Sequence, residues 1–281
     1  MANKSVAILG GGITGLATAW YLEQAGFTDI TLIEASDYLG GKIKTERDDG
    51  FLIENGPDAL MISKPGIMDF VKALGLEDQL IEPKSRHFYI LHKGKLKPVP
   101  AGFASMVPVD MGSFLKSDLI SWKGKFRMMM ERFVKKGNPK KDESLANFVK
   151  RRFGKEVLDK MAEPLFSGVY SAPSDQLSIK ATFPHFKQME AKHGSITKAV
   201  MANRKKNGLP KSSPFRSFQK GMQTLPDTIE KQLTVTKILR STSVSSISQE
   251  KGAYAIHTAT NDTLPVQEIV MTLPAYKAAF L

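Results

Sequence analysis

Ser5-Val6-Ala7-Ile8-Leu9-Gly10-Gly11-Gly12-Ile13-Thr14-Gly15 is the stretch from which the fold is read. Val6–Leu9 is a short apolar run of the kind that forms a strand buried on both faces. Glycines follow at once, and Leu16-Ala-Thr-Ala-Trp-Tyr-Leu22 then carries a helical period that stops at Gly26. Ile30-Thr-Leu-Ile33 is a second β-branched run, closed by Glu34. Strand, glycine turn, helix and strand within about 30 residues make a βαβ unit, and such crossovers imply a parallel sheet. Gly10, Gly12 and Gly15 match G-x-G-x-x-G. The first glycine permits the tight turn, the second lets the backbone approach a pyrophosphate, and the third lets helix pack on strand. The amide groups of Gly11, Ile13 and Thr14 complete a helix N-terminus suited to phosphate. Glu34 stands 22 residues past Gly12, where an acid accepts from a ribose hydroxyl and disfavours a 2′-phosphate. A dinucleotide site is therefore expected, with FAD and NAD both open.

Composition narrows the remaining choices. The chain has 281 residues, 42% hydrophobic and 24% charged, which suits a soluble globular protein. It has no cysteine, so disulfides, Cys-ligated zinc, iron–sulfur clusters and thiol catalysis are excluded. No metal site is expected. No run of about 18 uncharged apolar residues, the length of a membrane span, occurs. The apolar start is interrupted by four glycines and lacks a basic flank, so it is read as structure and not as a leader. The cytosol is the expected compartment. Net charge is +12, yet residues 84–216 alone carry 28 Lys and Arg against 10 Asp and Glu, a net of +18. A basic middle between acidic ends suggests a separate segment with an anionic partner. Nucleic acid, an anionic membrane surface and a polyanionic small molecule are the candidates. No recognised nucleic-acid-binding pattern accompanies the charge, so nucleic acid is set aside.

Three segments follow: 1–85, a nucleotide-binding domain begun; 86–212, a mainly helical basic insert; and 213–281, the nucleotide-binding domain continued and incomplete. Lys64-Pro65 opens a helix that closes at Gly75, and residues 88–97 form a hairpin turning at Lys93-Gly94. Helices are expected over 117–136 and 144–166, a loop over 203–220, and strands between Leu233 and Ala259 and over Val266–Leu273. The stripe Trp122, Phe126, Met129, Met130 and Phe133 has helical spacing and is expected to be a core face. A surface lying on an anionic bilayer is the other reading. The chain stops in the apolar Ala279-Phe280-Leu281, from which a truncated sequence is expected.

Glu34 runs directly into Ala35-Ser36 and then Gly40-Gly41-Lys42-Ile43-Lys44-Thr45, and Glu54-Asn55-Gly56-Pro57-Asp58-Ala59 follows. This order resembles the flavin amine-oxidase superfamily, in which a Gly-Gly-basic-x-x-Thr element lies along the pyrophosphate. Lys42 stands where many members have arginine, a point charge in place of a bidentate fork. Glu163-Pro-Leu-Phe-Ser-Gly168-Val-Tyr170, Leu177-Ser178 and Thr182-Phe-Pro184 make the whole chain similar to the porphyrinogen oxidases, above all the water-soluble Gram-positive type. The resemblance implies an α/β fold: a Rossmann-like FAD-binding domain of amine-oxidase type with a helical substrate- or membrane-side insert. It implies FAD as cofactor, held by Gly10–Gly15, Glu34, Ala35, Gly41, Lys42, Gly56, Pro57, Asp58 and Ala59, with the Val244 backbone at the adenine. It implies oxidation of coproporphyrinogen III to coproporphyrin III in haem synthesis, with O₂ consumed and H₂O₂ released. Protoporphyrinogen IX, or another flavin oxidase or desaturase reaction, is the alternative, and an inactive nucleotide-binding fragment is the non-enzymatic one. Val169 is implied at the substrate cavity, although core packing is an equal reading. Lys64 is implied near the active site, with Arg86 or His87 pairing a propionate. The reaction's chemistry belongs to the cofactor, so no catalytic side chain is assigned. In membrane-bound relatives the Trp122–Phe133 region binds membrane, which leaves a peripheral contact open. A downstream enzyme of haem synthesis is a further implied partner.

Overall fold

The computed structural model describes residues 4–84, 88–99, 107, 111–208, 212–250 and 252–281. Arg86 and His87 lie outside the described residues. The chain divides into two units, one drawn from residues 1–84 and 212–281, the other from 85–211.

The first unit begins β1 (Val6–Leu9), α1 (Ile13–Gln24), β2 (Ile30–Ile33), β3 (Thr45–Asp48), β4 (Phe51–Glu54), β5 (Leu60–Met61), α2 (Ile67–Ala73) and β6 (Leu80–Ile81). The second unit holds β7 (Tyr89–His92), β8 (Lys95–Pro98), α3 (Met111–Lys116), α4 (Trp122–Met129), α5 (Leu145–Phe153), α6 (Lys155–Val157), α7 (Glu163–Tyr170), α8 (Ile179–Thr182), α9 (Pro184–His193) and α10 (Ile196–Asn207). The chain then returns through β9 (Phe215–Phe218), α11 (Thr224–Gln232), β10 (Lys237–Leu239), β11 (Val244–Glu250), β12 (Ala253–Thr258), β13 (Thr263–Val266), β14 (Glu268–Met271) and α12 (Ala275–Ala278).

The frame of the first unit is a parallel sheet in the order β10-β2-β1-β14, with Val6 opposite both Ile30 and Glu268. All eight residues of β1 and β2 are buried, because both faces are covered. Val6, Ile8, Ile30 and Leu32 pack under Leu16, Ala19 and Trp20 of α1 and Leu225 and Ile229 of α11. Ala7, Leu9 and Ile33 point the other way, onto Ile256 and Val266 of the antiparallel β11-β12-β13 sheet. The period-two alternation of a strand thus splits one apolar run between two cores.

The second unit is built around Phe114, Phe148, Phe153, Val157, Met161, Ile179, Phe186 and Ile196. Its hairpin turns where expected: Lys93 (φ 51°) and Gly94 (φ 72°) take the left-handed pair that a two-residue turn needs. The expected long helices are interrupted. Over 144–166, α5 ends at Gly154 (φ 98°), and a π-helical turn, Leu158–Ala162, leads into α7. Pro164 has no N–H to return to the preceding turn, which suits a widened turn there. Over 117–136, Ser121 caps α4 by accepting from Gly124 N at 3.1 Å, and the chain tightens into a 3₁₀ turn at Met130–Phe133. The expected loop at 203–220 is partly regular, since α10 runs to Asn207 and β9 pairs with β5 and β6.

The core reading of the aromatic stripe is corrected. Trp122 is 71%, Phe126 63% and Phe133 70% exposed. The opposite face is buried: Gly124, Lys125, Met128 and Glu131. Lys125 donates to Leu115 O (2.7 Å), and Glu131 caps α10 by accepting from Ile196 N (3.0 Å) and Thr197 N (3.1 Å). Those partners, outside the helix itself, decide which face turns inward. Among the described residues no helix is long and apolar enough to cross a membrane, and no cluster of His, Asp and Glu could hold a metal ion.

Candidate cofactor-binding site

At the carboxyl end of β1 the chain turns through Gly10 (φ 107°), whose N–H donates to Ile33 O at 2.8 Å. Three of the four loop glycines are required by the chain itself. A Cβ on Gly15 would lie 1.9 Å from the Gly10 carbonyl oxygen, and one on Gly11 would lie 2.5 Å from Leu39 and 2.9 Å from Glu34. Gly10 needs its left-handed φ. Gly12 is different: φ is −68°, and the nearest atom to its Cβ position is Gly41 Cα at 3.9 Å. Among the described residues nothing asks for glycine there, and the bare backbone is left open. The same residue is the N-cap of α1, with no side-chain cap and no acid in the first turn. The helix end therefore presents unpaired N–H groups to an anion.

Glu34 leaves β2 beside this loop. Its Oε2 accepts from Gly11 N (2.6 Å), and its Oε1 accepts from Ser36 N (2.8 Å) and Ser36 Oγ (2.7 Å). A carboxylate pinned this way keeps lone pairs for ribose hydroxyls. Ala35 is exposed next to it. Gly40 N donates to Gly11 O (2.9 Å), and Gly40 bridges Gly12 as in a parallel pair. The left-handed Gly41 (φ 61°) follows, where a Cβ would lie 3.0 Å from Gly12 Cα, and Lys42 is exposed beyond it. Gly56 packs on the backbone of Lys42, its Cβ position 1.8 Å from that carbonyl oxygen. Pro57 and Asp58 are exposed and Ala59 is half-buried. Thr242 N donates to Glu34 O (2.9 Å) and Ser241 N to Ser36 O (2.8 Å), which sets the segment leading into Val244 alongside Glu34.

One end of one sheet thus gathers Gly10–Gly15, Glu34, Ala35, Gly41, Lys42, Gly56 and the approach to Val244. Lys64 is exposed just ahead of α2, and Val169, 74% exposed, belongs to the second unit. Thr272 is a residue that sequence reasoning missed. Its Oγ1 donates to Leu9 O (2.8 Å) and Gly10 O (3.0 Å), so it braces the end of β1 beneath the glycine turn. Only a generic apolar strand announced it.

A glycine cradle with an open second position and an acid at the next strand fits a flavin dinucleotide, and the family model for flavin-containing amine oxidoreductases matches residues 13–281. The chain belongs to that family. The Bacillus subtilis (strain 168) coproporphyrinogen III oxidase is 37% identical over 99% of this chain and 61% of its own length. The chloroplastic protoporphyrinogen oxidase of Nicotiana tabacum is 34% identical over 99% of this chain and 52% of its own length. A crystal structure from Exiguobacterium, assigned to protoporphyrinogen oxidase, superposes with a TM-score of 0.85 at 33% identity, covering 99% of this chain and 61% of that one. Reduced UDP-galactopyranose mutase, at TM-score 0.67 and 16% identity, shares the fold alone. The chain spans about half to three fifths of the length of the curated relatives it matches. Like other members of this flavin-containing family, it has the fold for FAD, and the gathered residues would hold the ADP half.

Glu34→Ala in the full-length protein is expected to weaken FAD binding by about 1.5–3 kcal/mol, roughly 10- to 150-fold, by removing a charge-assisted acceptor. Titration of the apoprotein with FAD reads this directly, and unchanged affinity would mean that Glu34 does not hold the ribose.

Proposed function

We propose that the full-length protein oxidises coproporphyrinogen III to coproporphyrin III, with FAD held on the Gly10–Gly15 cradle. The observation that carries this reading is the match along 99% of the chain to the B. subtilis coproporphyrinogen III oxidase, in a chain whose cradle is open at Gly12. FAD, when bound, would supply the redox chemistry: three two-electron oxidations of the tetrapyrrole, six electrons in all, each coupled to reduction of one O₂ to H₂O₂. The task left to this chain's residues is to bind and orient. Gly10–Gly15 and Lys42 take the phosphates, Glu34 the ribose, and the turn at Gly56-Pro57-Asp58-Ala59 supports the ring end. Val244 meets the adenine through its backbone.

α7 has features of a wall facing a bound molecule. It is apolar yet has no buried residue, Val169 stands out, and a Cβ on Gly168 would meet nothing within 4 Å. A helix-interior glycine costs about 1 kcal/mol relative to alanine, so an unforced one suits close approach by a flat ligand. Lys64 is proposed near the active site, and Arg86 or His87 for a propionate. The test is direct. The purified full-length protein should show flavin bands near about 375 and 450 nm, and coproporphyrin fluorescence should grow with O₂ uptake. A colourless, inactive protein would overturn the reading. Coproporphyrinogen carries four propionates and protoporphyrinogen two, so capture by the basic segment should make the KM for the former rise more steeply with ionic strength. Equal salt dependence would leave the +18 segment without a substrate role.

A peripheral membrane contact is favoured by the exposed Trp122, Phe126 and Phe133, with the exposed Lys123, Arg132 and Lys135 among them. Trp20 is buried and bonded to Gln232, and the part of a tryptophan-emission change on anionic vesicles that Trp122→Phe removes reports Trp122. A blue shift with phosphatidylglycerol vesicles but not phosphatidylcholine vesicles is expected, and its absence would remove the membrane from the proposal.

A further inference from the structure

Thr45 closes the Gly-Gly-Lys-Ile-Lys-Thr element, and its hydroxyl both donates and accepts within the chain. Its Oγ1 donates to Glu54 Oε2 (2.8 Å) and accepts from Gln223 N (2.9 Å). Glu54 Oε1 accepts from Met222 N (2.8 Å). The Gln223 side chain then donates from Nε2 to Asp227 Oδ1 (3.0 Å) and to Leu39 O (3.3 Å), the carbonyl just ahead of Gly40. The turn that brings Met222 and Gln223 here has no room to spare. Gly221 has φ 90°, and a Cβ on it would lie 2.4 Å from Thr45 Cγ2 and 2.9 Å from Glu54 Oε1.

The two ends of this hydrogen-bonded chain are cofactor segments. Leu39 leads into Gly40, which donates to Gly11 of the fingerprint, and Glu54 leads into Gly56, which packs on the Lys42 carbonyl. Gly40 (φ 110°) and Gly41 (φ 61°) are consecutive left-handed glycines with little conformational preference of their own. A loop of that kind is ordered by its partners, and loop order secured before binding need not be supplied by the ligand.

We propose that Thr45, Glu54 and Gln223 form a bracket that presets the Gly40-Gly41-Lys42 loop and the Gly56-Pro57 turn for FAD, with Gln223 as a positioning residue acting through Leu39. The proposal rests on the reading that this loop lies along the cofactor's phosphates. It also gives Thr45 a job: bracing the loop from behind.

The test uses full-length apoprotein and FAD titration followed by flavin fluorescence quenching. Gln223→Met keeps the side-chain length and loses the amide. It is expected to raise the FAD Kd about tenfold, the equivalent of one net hydrogen bond, while the apoprotein Tm moves by no more than about 2 °C. Thr45→Val should weaken FAD similarly, and Thr45→Ser, which restores the hydroxyl, should recover most of the affinity. A purely structural bracket would instead lower the apoprotein Tm and leave the Kd of the folded fraction unchanged, which overturns the proposal. Lys42→Ala separates the two layers of the argument. If it weakens FAD while Gln223→Met and Thr45→Val do not, the bracket fails and the loop reading stands. If Lys42→Ala leaves the Kd unchanged, the loop reading fails and the bracket's role with it.

Discussion

Gly15→Ala is expected to cost the first unit its fold and its flavin together, whereas Gly12→Ala is expected to cost the flavin alone. The difference lies in what each added methyl meets. At Gly15 it would lie 1.9 Å from the Gly10 carbonyl oxygen, a backbone atom at the end of a buried strand. Relief would require α1 to lift off β1, exposing Leu16, Ala19 and Trp20, which pack against the sheet. The loss should exceed about 4 kcal/mol, the exceptional end of single substitutions. At Gly12 the methyl would meet only Gly41 Cα, at an ordinary 3.9 Å, with φ already at −68°. The fold should be untouched, but the methyl would occupy the face proposed for the pyrophosphate. A loss of about 3 kcal/mol, roughly 150-fold in FAD affinity, is expected from that overlap. Circular dichroism melts paired with FAD titrations check both halves. A Gly15→Ala protein melting like the wild type, or a Gly12→Ala protein binding FAD unimpaired, would falsify the division of labour among these glycines.

What the sequence made legible was local. Val6–Leu9, the glycine turn, α1 and Ile30–Ile33 could be placed because strand, turn and helix signals sit side by side, and the position of Glu34 follows from the end of β2. Lys93-Gly94 was legible for the same reason. The bracing of the site was not. Thr272 reaches Leu9 across 263 positions and Gln223 reaches Leu39 across 184, and nothing in their own neighbourhoods marks either residue. The aromatic stripe shows a different limit. Helical spacing reveals that the two faces of 122–133 differ, but not which one meets the core. That choice was made by Lys125 and Glu131, whose charges are buried because Leu115 O and the start of α10 receive them. A sequence pattern ranks apolar residues inward. A short helix whose polar face carries the long-range partners inverts that ranking.

Removing Arg152 should be the most damaging change in the second unit. Its side chain is fully buried, donating to Val134 O (3.0 Å) and Gly194 O (2.6 Å), and it lies 3.4 Å from Glu131 and 3.2 Å from Glu190. Glu190 also accepts from Arg151 (2.7 Å), which pairs Glu143 (2.7 Å), and Lys187 reaches Glu143 at 3.0 Å. Three cations thus face three carboxylates. Deleting one partner of a buried pair typically costs about 3–5 kcal/mol, because the remaining charge is left in low dielectric. Arg152→Met should lower the melting of this unit by about 10 °C or more. Adding Glu131→Gln removes a stranded charge while keeping an acceptor for the start of α10, so the double variant should recover part of the loss. The same network predicts a pH dependence. Burial works against the ionised forms of Glu143 and Glu190, but hydrogen bonds from Arg151 outweigh it, joined by Lys187 at Glu143 and Gly137 N at Glu190, so both carboxyls are held below 4.5. A folded pKa below the unfolded one contributes stability that is complete above about 4.5 and disappears as pH falls through the folded value. Melts between about pH 3 and pH 7 should therefore show an acid-side decline that flattens in Arg151→Met, where the chief lowering partner of both carboxyls is gone. An equally steep decline in that variant would place the acid sensitivity elsewhere in the chain and leave these carboxylates as packing alone.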